Sequence, residues 1–236
     1  MSTPDGLPEV ILEASGVSAG YHGHPVIHDI GLKLHSGEVA AVIGPNGAGK
    51  TTLLLALAGA LQPLTGEVRF LGDGRRLPLN RRARQGLGFV ADEHSLFGSL
   101  SVEENLRVAA GDFQDVFAIF PELRKLEHRP AGLLSGGEQQ MLKIARVLAQ
   151  KPRCMLADEV SIGLSPLLAQ RLLSTIRTVA DSARIGVLIV EQQIRNAFAI
   201  ADHVYVLQRG RIVLNGPTQL LRERLDEIES SYLSQT

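Results

Sequence analysis

One cysteine, Cys154, is present in 236 residues, so no intrachain disulfide can form. It lies in an apolar run, which predicts a buried, inert thiol and suits a reducing compartment. Charge of one sign is not in excess: 24 Lys and Arg stand against 25 Asp and Glu, for a net charge of -1. That balance argues against a dedicated nucleic-acid binder. Long apolar runs are missing too. The stretch around Leu53–Leu61 falls well short of the roughly 20 residues that span a bilayer. Met1–Pro8 has neither a basic n-region nor an apolar h-region. The chain is therefore expected not to cross a membrane by itself. There is no tandem repeat and no low-complexity tract.

What remains reads as an α/β protein. Short strands are expected at Val10–Glu13 and Gly31–Leu34, in a mixed N-terminal sheet. Glu38–Ile43 is a continuous apolar run that ends in a glycine-rich turn, the mark of a strand buried on both faces. The pattern then predicts a helix over Lys50–Leu61 and strands at Glu67–Leu71 and Gly86–Val90. From Ser101 to about Leu126 the signal is helical. Ser101 and Glu104 form a capping box, and Phe113, Val116, Phe117 and Phe120 form an apolar face. Strands at Arg153–Ala157, Val187–Val190 and Val204–Leu207 alternate with helices at Pro166–Ala180 and Gln192–Ile200, which implies a parallel sheet covered by helices. Gln208–Arg211 reads as a hairpin turn and Thr218–Leu233 as a closing amphipathic helix.

Three segments carry chemistry. Gly44-Pro-Asn-Gly-Ala-Gly-Lys-Thr51 is a P-loop set between a strand and a helix, as its mechanism requires. Its backbone N–H groups would wrap a β-phosphate, Lys50 would reach the β- and γ-phosphates, and Thr51 would give a hydroxyl to Mg²⁺. Gly44, Asn46, Gly47, Gly49, Lys50, Thr51 and Thr52 are the candidate cradle. Cys154-Met-Leu-Ala-Asp158-Glu159 is an apolar strand that ends in two carboxylates at the ligand side of a parallel sheet. Asp158 would belong to the Mg²⁺ shell, and Glu159 would polarise water as a general base. In the third segment, Leu134-Ser-Gly-Gly-Glu-Gln139, Ser135 and Glu138 make a capping box. The two glycines would let an anion approach a helix N-terminus. Two phosphate cradles have little use in one chain. Two chains face to face could share each phosphate between a P-loop and a glycine helix.

These motifs, in this order, resemble the nucleotide-binding subunit of ATP-binding-cassette (ABC) transporters, over nearly the whole chain. The resemblance implies a P-loop NTPase with a mixed, largely parallel central sheet, an N-terminal antiparallel β part and a small helical subdomain. It implies one ATP-binding domain over 1–236, with the helical insert near 92–150. It further implies that Tyr21 stacks on adenine and that Ser135, Gly136 and Gly137 touch the γ-phosphate of an ATP held by a second ATP-binding subunit, in a hetero- or homodimer. ATP and Mg²⁺ are the implied ligands. Two transmembrane permease subunits and, indirectly, a solute-binding protein are the implied partners, at the cytoplasmic face of the cell membrane; nucleic acid is not.

The chain departs from the common pattern at several places. Where the family usually places a glutamine that contacts Mg²⁺, the register gives Asp92, with Glu93 beside it. Where a histidine usually meets the γ-phosphate, Gln192 stands, which can donate a hydrogen bond but carries no charge at neutral pH. Ser165 takes the place of an aspartate, and Val160 that of a proline. Leu106–Leu133 is short. LSGGEQQML, VEQQ and the Gly210–Gly216 segment resemble the ATPase of branched-chain (hydrophobic) amino acid importers, more narrowly its LivF type. Transporters for other solutes, exporters and soluble ABC ATPases share the core motifs. The soluble DNA-working members usually carry heptad coiled coils or zinc modules, and no sustained heptad or CxxC pair is seen here. An unrelated P-loop kinase leaves Ser135–Gln139 unexplained. His22 and His24 are expected to be solvated loop residues, and Arg81-Arg-Ala-Arg84 a solvated charged face.

Overall fold

The computed structural model describes residues 8–91, 95–109 and 113–225. Strands β1 (Val10–Tyr21) and β2 (His24–His35) form a long antiparallel hairpin. His22 and Gly23 join them with φ of 53° and 79°, a turn whose twist suits the flanking strands. Strand β3 (Val39–Ile43) leads through the P-loop into helix α1 (Lys50–Ala58). Strand β4 (Thr65–Phe70) returns to pair with β1, completing a three-stranded antiparallel sheet of order β2-β1-β4. Helix α2 (Leu79–Arg84) and strand β5 (Leu87–Val90) follow.

Four helices come next: α3 (Val102–Ala109), α4 (Val116–Ile119), α5 (Pro121–Arg124) and α6 (Gly136–Ala149). The chain then alternates β6 (Cys154–Asp158), α7 (Pro166–Ala183), β7 (Gly186–Glu191), α8 (Ile194–Ile200) and β8 (His203–Gln208). It turns back in β9 (Arg211–Pro217) and enters the one-turn helix α9 (Thr218–Leu221). The second sheet has order β5-β6-β7-β3-β8-β9, parallel except for the β8–β9 hairpin.

Alternation along the central strands explains the layering. Ala40, Val42, Leu156, Leu188 and Val190 face α1 and the antiparallel sheet. Val39, Ala41, Ile43, Met155, Ala157, Val187 and Ile189 face the other way, into one apolar cluster with α3 to α8. Helix α1 is apolar almost all round because it lies between two sheets; Leu53, Leu54 and Leu57 are wholly buried. Each such side chain stabilises the fold by about 1.5–3 kcal/mol relative to leaving it in water. Parallel pairing in the order β6-β7-β3 brings three carboxyl ends side by side, with Ile43 opposite Glu191 and Val190 opposite Asp158.

Several local expectations need correction. Helix α1 stops at Ala58, three residues early, because Gly59 adopts φ 81° and its N–H caps the carbonyls of Leu55 and Ala56. The first two strands are each much longer than their apolar cores, extended by backbone pairing of polar and glycine residues. Helix α2 was not foreseen, and Arg82 on it is not solvated: it is buried and donates to the carbonyls of Leu57 and Val68. The final helix is one turn of α followed by a 3₁₀ turn at Arg222–Arg224; residues from 226 on lie outside the described part. The capping boxes of Ser101 and Ser135 are present as expected. Cys154 is fully buried, and desolvation pushes its thiol up to about 12.

Candidate functional site

The P-loop leaves β3 at Gly44 and closes onto α1 with Gly47 at φ 77° and Gly49 at φ 103°, values that side chains with a Cβ rarely adopt. No side chain caps the N-terminus of α1, and its first turn holds no acid. The helix therefore presents uncompensated partial positive charge toward the loop. Lys50, 6% exposed, folds back across it. Its Nζ donates to the carbonyls of Gly44 (2.9 Å) and Pro45 (3.1 Å). Burial pulls the Lys50 pKa down, against the opposing pull of Glu159, Asp158 and Glu191. Thr51 is exposed beside it, while Thr52 is buried in the helix. The β1–β2 hairpin lies against this loop, with Ile27 and Val26 packed on Gly49, and from the β8–β9 turn the Gly210 N–H donates to the Ala48 carbonyl. Tyr21 sits at the tip of the same hairpin, 47% exposed and paired with His24.

From β6, Asp158 is 4% exposed at the strand end. Glu159 follows in the left-handed region, φ 47°, with its N–H donating to the Val190 carbonyl at 3.0 Å. Its Oε1 lies 3.8 Å from Lys50 Nζ and accepts from Gln192 Nε2 at 2.6 Å. An ammonium, a carboxylate and an amide donor thus converge from β3–α1, β6 and β7. Such a set can hold phosphate oxygens and orient a water beside a base. The oxygen donors of Thr51 and Asp158 suit a hard divalent cation such as Mg²⁺. Asp92 lies outside the described residues.

Ser135, Gly136 and Gly137 stand apart from this convergence. Ser135 Oγ accepts from the Glu138 N–H at 3.4 Å, and Glu138 Oε2 accepts from the Ser135 N–H at 2.7 Å. Gly136 borders open space, so an anion could reach its backbone. Gly137 differs: it is buried, and a Cβ there would meet the end of the Leu168 side chain of α7. Its small size also serves helix packing. Ser165 caps α7 by accepting from the Leu168 N–H. His22 and His24 are exposed, and no group of three or more metal-binding side chains forms among the described residues.

Two residues of the site were not singled out from sequence. Glu191, the last residue of β7, is 2% exposed, and its carboxylate accepts from both the N–H and the Oγ of Ser161. The available signal was a glutamate closing an otherwise apolar strand. Burial lifts the Glu191 carboxyl to about 7; the Ser161 donors pull it down, and Glu159 and Asp158 push it up. A carboxyl raised above its unfolded value near 4.5 stabilises the fold most when protonated. That contribution is complete below about pH 4.5 and is lost as the pH rises through about 7. Between pH 5 and pH 8 the wild-type chain should lose about 2–3 kcal/mol more stability than Glu191→Gln. Denaturant unfolding at the two pH values checks this; equal losses would mean that Glu191 is ionised throughout.

Residues 27–161 match the ABC transporter family, a span that includes the P-loop, Ser135–Gln139 and Asp158–Glu159. The chain is 37% identical to the high-affinity branched-chain amino acid transport ATP-binding protein BraG of Pseudomonas aeruginosa, over 87% of this chain and 92% of that one. It is 35% identical to the probable branched-chain amino acid transport ATP-binding protein LivF of Archaeoglobus fulgidus, over 90% and 94%. The lipopolysaccharide export system ATP-binding protein LptB of Escherichia coli K12 is 32% identical, over 95% and 97%. The fold also matches a nucleotide-free ATP-binding cassette from an ABC transporter, with a TM-score of 0.83 at 22% identity over 93% and 96% of the two chains. A glycine loop closed by a buried lysine, two carboxylates at a parallel strand end and a capped Ser-Gly-Gly helix are thus set in a sequence matching one family over most of its length. This chain belongs to the ABC transporter family of ATPases.

Proposed function

We propose that this chain is the ATP-hydrolysing motor of a membrane importer for branched-chain or other hydrophobic amino acids. The observation that carries the proposal is its 35–37% identity to two branched-chain amino acid transport ATP-binding proteins over almost their whole length. In this reading 1–236 form one ATP-binding domain, with a helical subdomain near 92–150. The P-loop residues Gly44, Asn46, Gly47, Gly49, Lys50, Thr51 and Thr52 hold the phosphates, and Tyr21 stacks on the adenine. Thr51, Asp158 and Asp92 hold Mg²⁺, which when bound neutralises charge on the phosphate oxygens. Glu159 takes the proton of the attacking water, and Gln192 fixes its carboxylate by the 2.6 Å hydrogen bond. Ser135, Gly136 and Gly137 meet the γ-phosphate of an ATP held by a second ATP-binding subunit, so that two nucleotides close a head-to-tail pair. Gly137 keeps their helix seated on α7.

No described helix is long and apolar enough to cross a membrane. The motor is proposed to dock on two transmembrane permease subunits at the cytoplasmic face, with a solute-binding protein on the other side. A second reading, lipid export, rests on the 32% identity to LptB. Reconstitution with candidate permease subunits and a binding protein separates the two. Import predicts ATP-dependent leucine, isoleucine or valine uptake into proteoliposomes. ATPase activity that responds to a lipid and ignores the loaded binding protein would overturn the import reading.

A further inference from the structure

Three consecutive residues at the end of β7 each grip the turn that follows β6. The Val190 carbonyl accepts from the Glu159 N–H, the Glu191 carboxylate accepts twice from Ser161, and the Gln192 amide donates to the Glu159 carboxylate. The gripped turn is strained. Glu159 has φ 47°, and a non-glycine residue stays there only where its surroundings over-determine it. Within the turn, the Ile162 N–H donates to the Glu159 carbonyl and the Leu164 N–H to that of Ser161. Asn196 of α8 adds a donor to Ser161 Oγ at 3.1 Å. A cavity of about 60 Å³ opens beside the strap, walled by Glu159, Ser161, Ile162, Glu191, Gln192 and Gln193.

We infer that Glu191 is a positioning residue for ATP hydrolysis: through Ser161 it holds the turn that aims the Glu159 carboxylate between Lys50 and Gln192. The inference rests on Glu159 being the base, as proposed above. Val190 acts through its main chain and Gln192 on the Glu159 carboxylate itself, so Glu191 supplies the side-chain grip on Ser161 that substitution can remove. Ser161 is 2% exposed and reaches Glu191 Oε2 at 2.7 Å, so its hydroxyl has no ready exchange with solvent. Loss of the carboxylate leaves a buried N–H and a buried O–H without their acceptor, Oγ keeping only the Asn196 donor, and the strained turn relaxes. Lys50 and the P-loop belong to other elements and keep their grip on the nucleotide.

The test compares Glu191→Ala, Glu191→Gln, Ser161→Ala and Glu159→Gln in the full chain. Misplacement of a base by about 1 Å can cost on the order of 100-fold. Glu191→Ala should therefore lower kcat by about 10-fold or more, with the KM for ATP within about twofold. Glu191→Gln keeps the side chain's shape and part of its hydrogen bonding, and should recover most of the loss. Ser161→Ala should fall between the two, and combining it with Glu191→Ala should add little. Amide exchange across 159–165 should accelerate in Glu191→Ala while that across 44–52 does not. Unchanged kcat with unchanged exchange would overturn the inference, as would a loss confined to KM or to thermal stability. If Glu159→Gln itself kept full turnover, the assignment of the base would fall instead, and the exchange data would still report whether Glu191 holds the turn.

Discussion

Lys50→Ala is expected to lower kcat/KM for ATP by about 100- to 1000-fold, a loss of about 3–4 kcal/mol of transition-state stabilisation. The size follows from position. Lys50 is 6% exposed, so its charge acts in a poorly screened environment. It is already anchored across the loop by the carbonyls of Gly44 and Pro45, so little reorganisation is needed when phosphate arrives. Burial has pulled its pKa down, and the neighbouring carboxylates hold it toward the charged form. Arginine should not rescue the defect, because its planar fork does not fit the path of a point charge folded over a glycine loop. Steady-state ATPase kinetics together with binding of a fluorescent ATP analogue would measure both halves of the effect. Turnover that survives Lys50→Ala would show that phosphate is held elsewhere.

Glu159→Gln should lower turnover by about 100- to 1000-fold while ATP still binds, in keeping with loss of a positioned general base. The substitution is close to isosteric. A glutamine carbonyl can still accept from Gln192 Nε2, so the 2.6 Å contact that orients position 159 can persist while basicity is lost. The neutral side chain also removes the attraction to Lys50 Nζ at 3.8 Å, which leaves the ammonium to the phosphates. Chemistry and binding should therefore separate: single-turnover hydrolysis slows and the dissociation constant for ATP does not rise. A parallel fall in both would mean that Glu159 shapes the pocket rather than acting on water.

Much of this architecture was legible in the sequence because its signals are local. A glycine loop between an apolar strand and a helix, a capping box and an acidic strand end each occupy fewer than ten residues, and each folds as its pattern requires. The meeting of Lys50 and Glu159 was legible because parallel strands put their carboxyl ends on one edge, while Gln192 was placed there only by the family resemblance. The features that escaped depend on partners distant in sequence. Glu191 meets Ser161 across 30 positions, and Arg82 satisfies the end of α1 across 25. A basic run reads as solvated until the carbonyls that accept from it are known. The packing of Gly137 against Leu168 on α7 was hidden for the same reason. The lengths of β1 and β2 escaped because backbone pairing of polar residues leaves no apolar pattern to read.

The account turns on ATP being closed between a P-loop and the Ser135–Gly136 helix end of another subunit. The most direct test is the solution mass of purified Glu159→Gln by light scattering, with and without Mg²⁺-ATP. With hydrolysis blocked, nucleotide persists at the interface, and the mass should double on adding ATP and return to the monomer value when ATP is removed. A mass that stays at one chain while ATP is demonstrably bound would contradict closure between two copies of this protein.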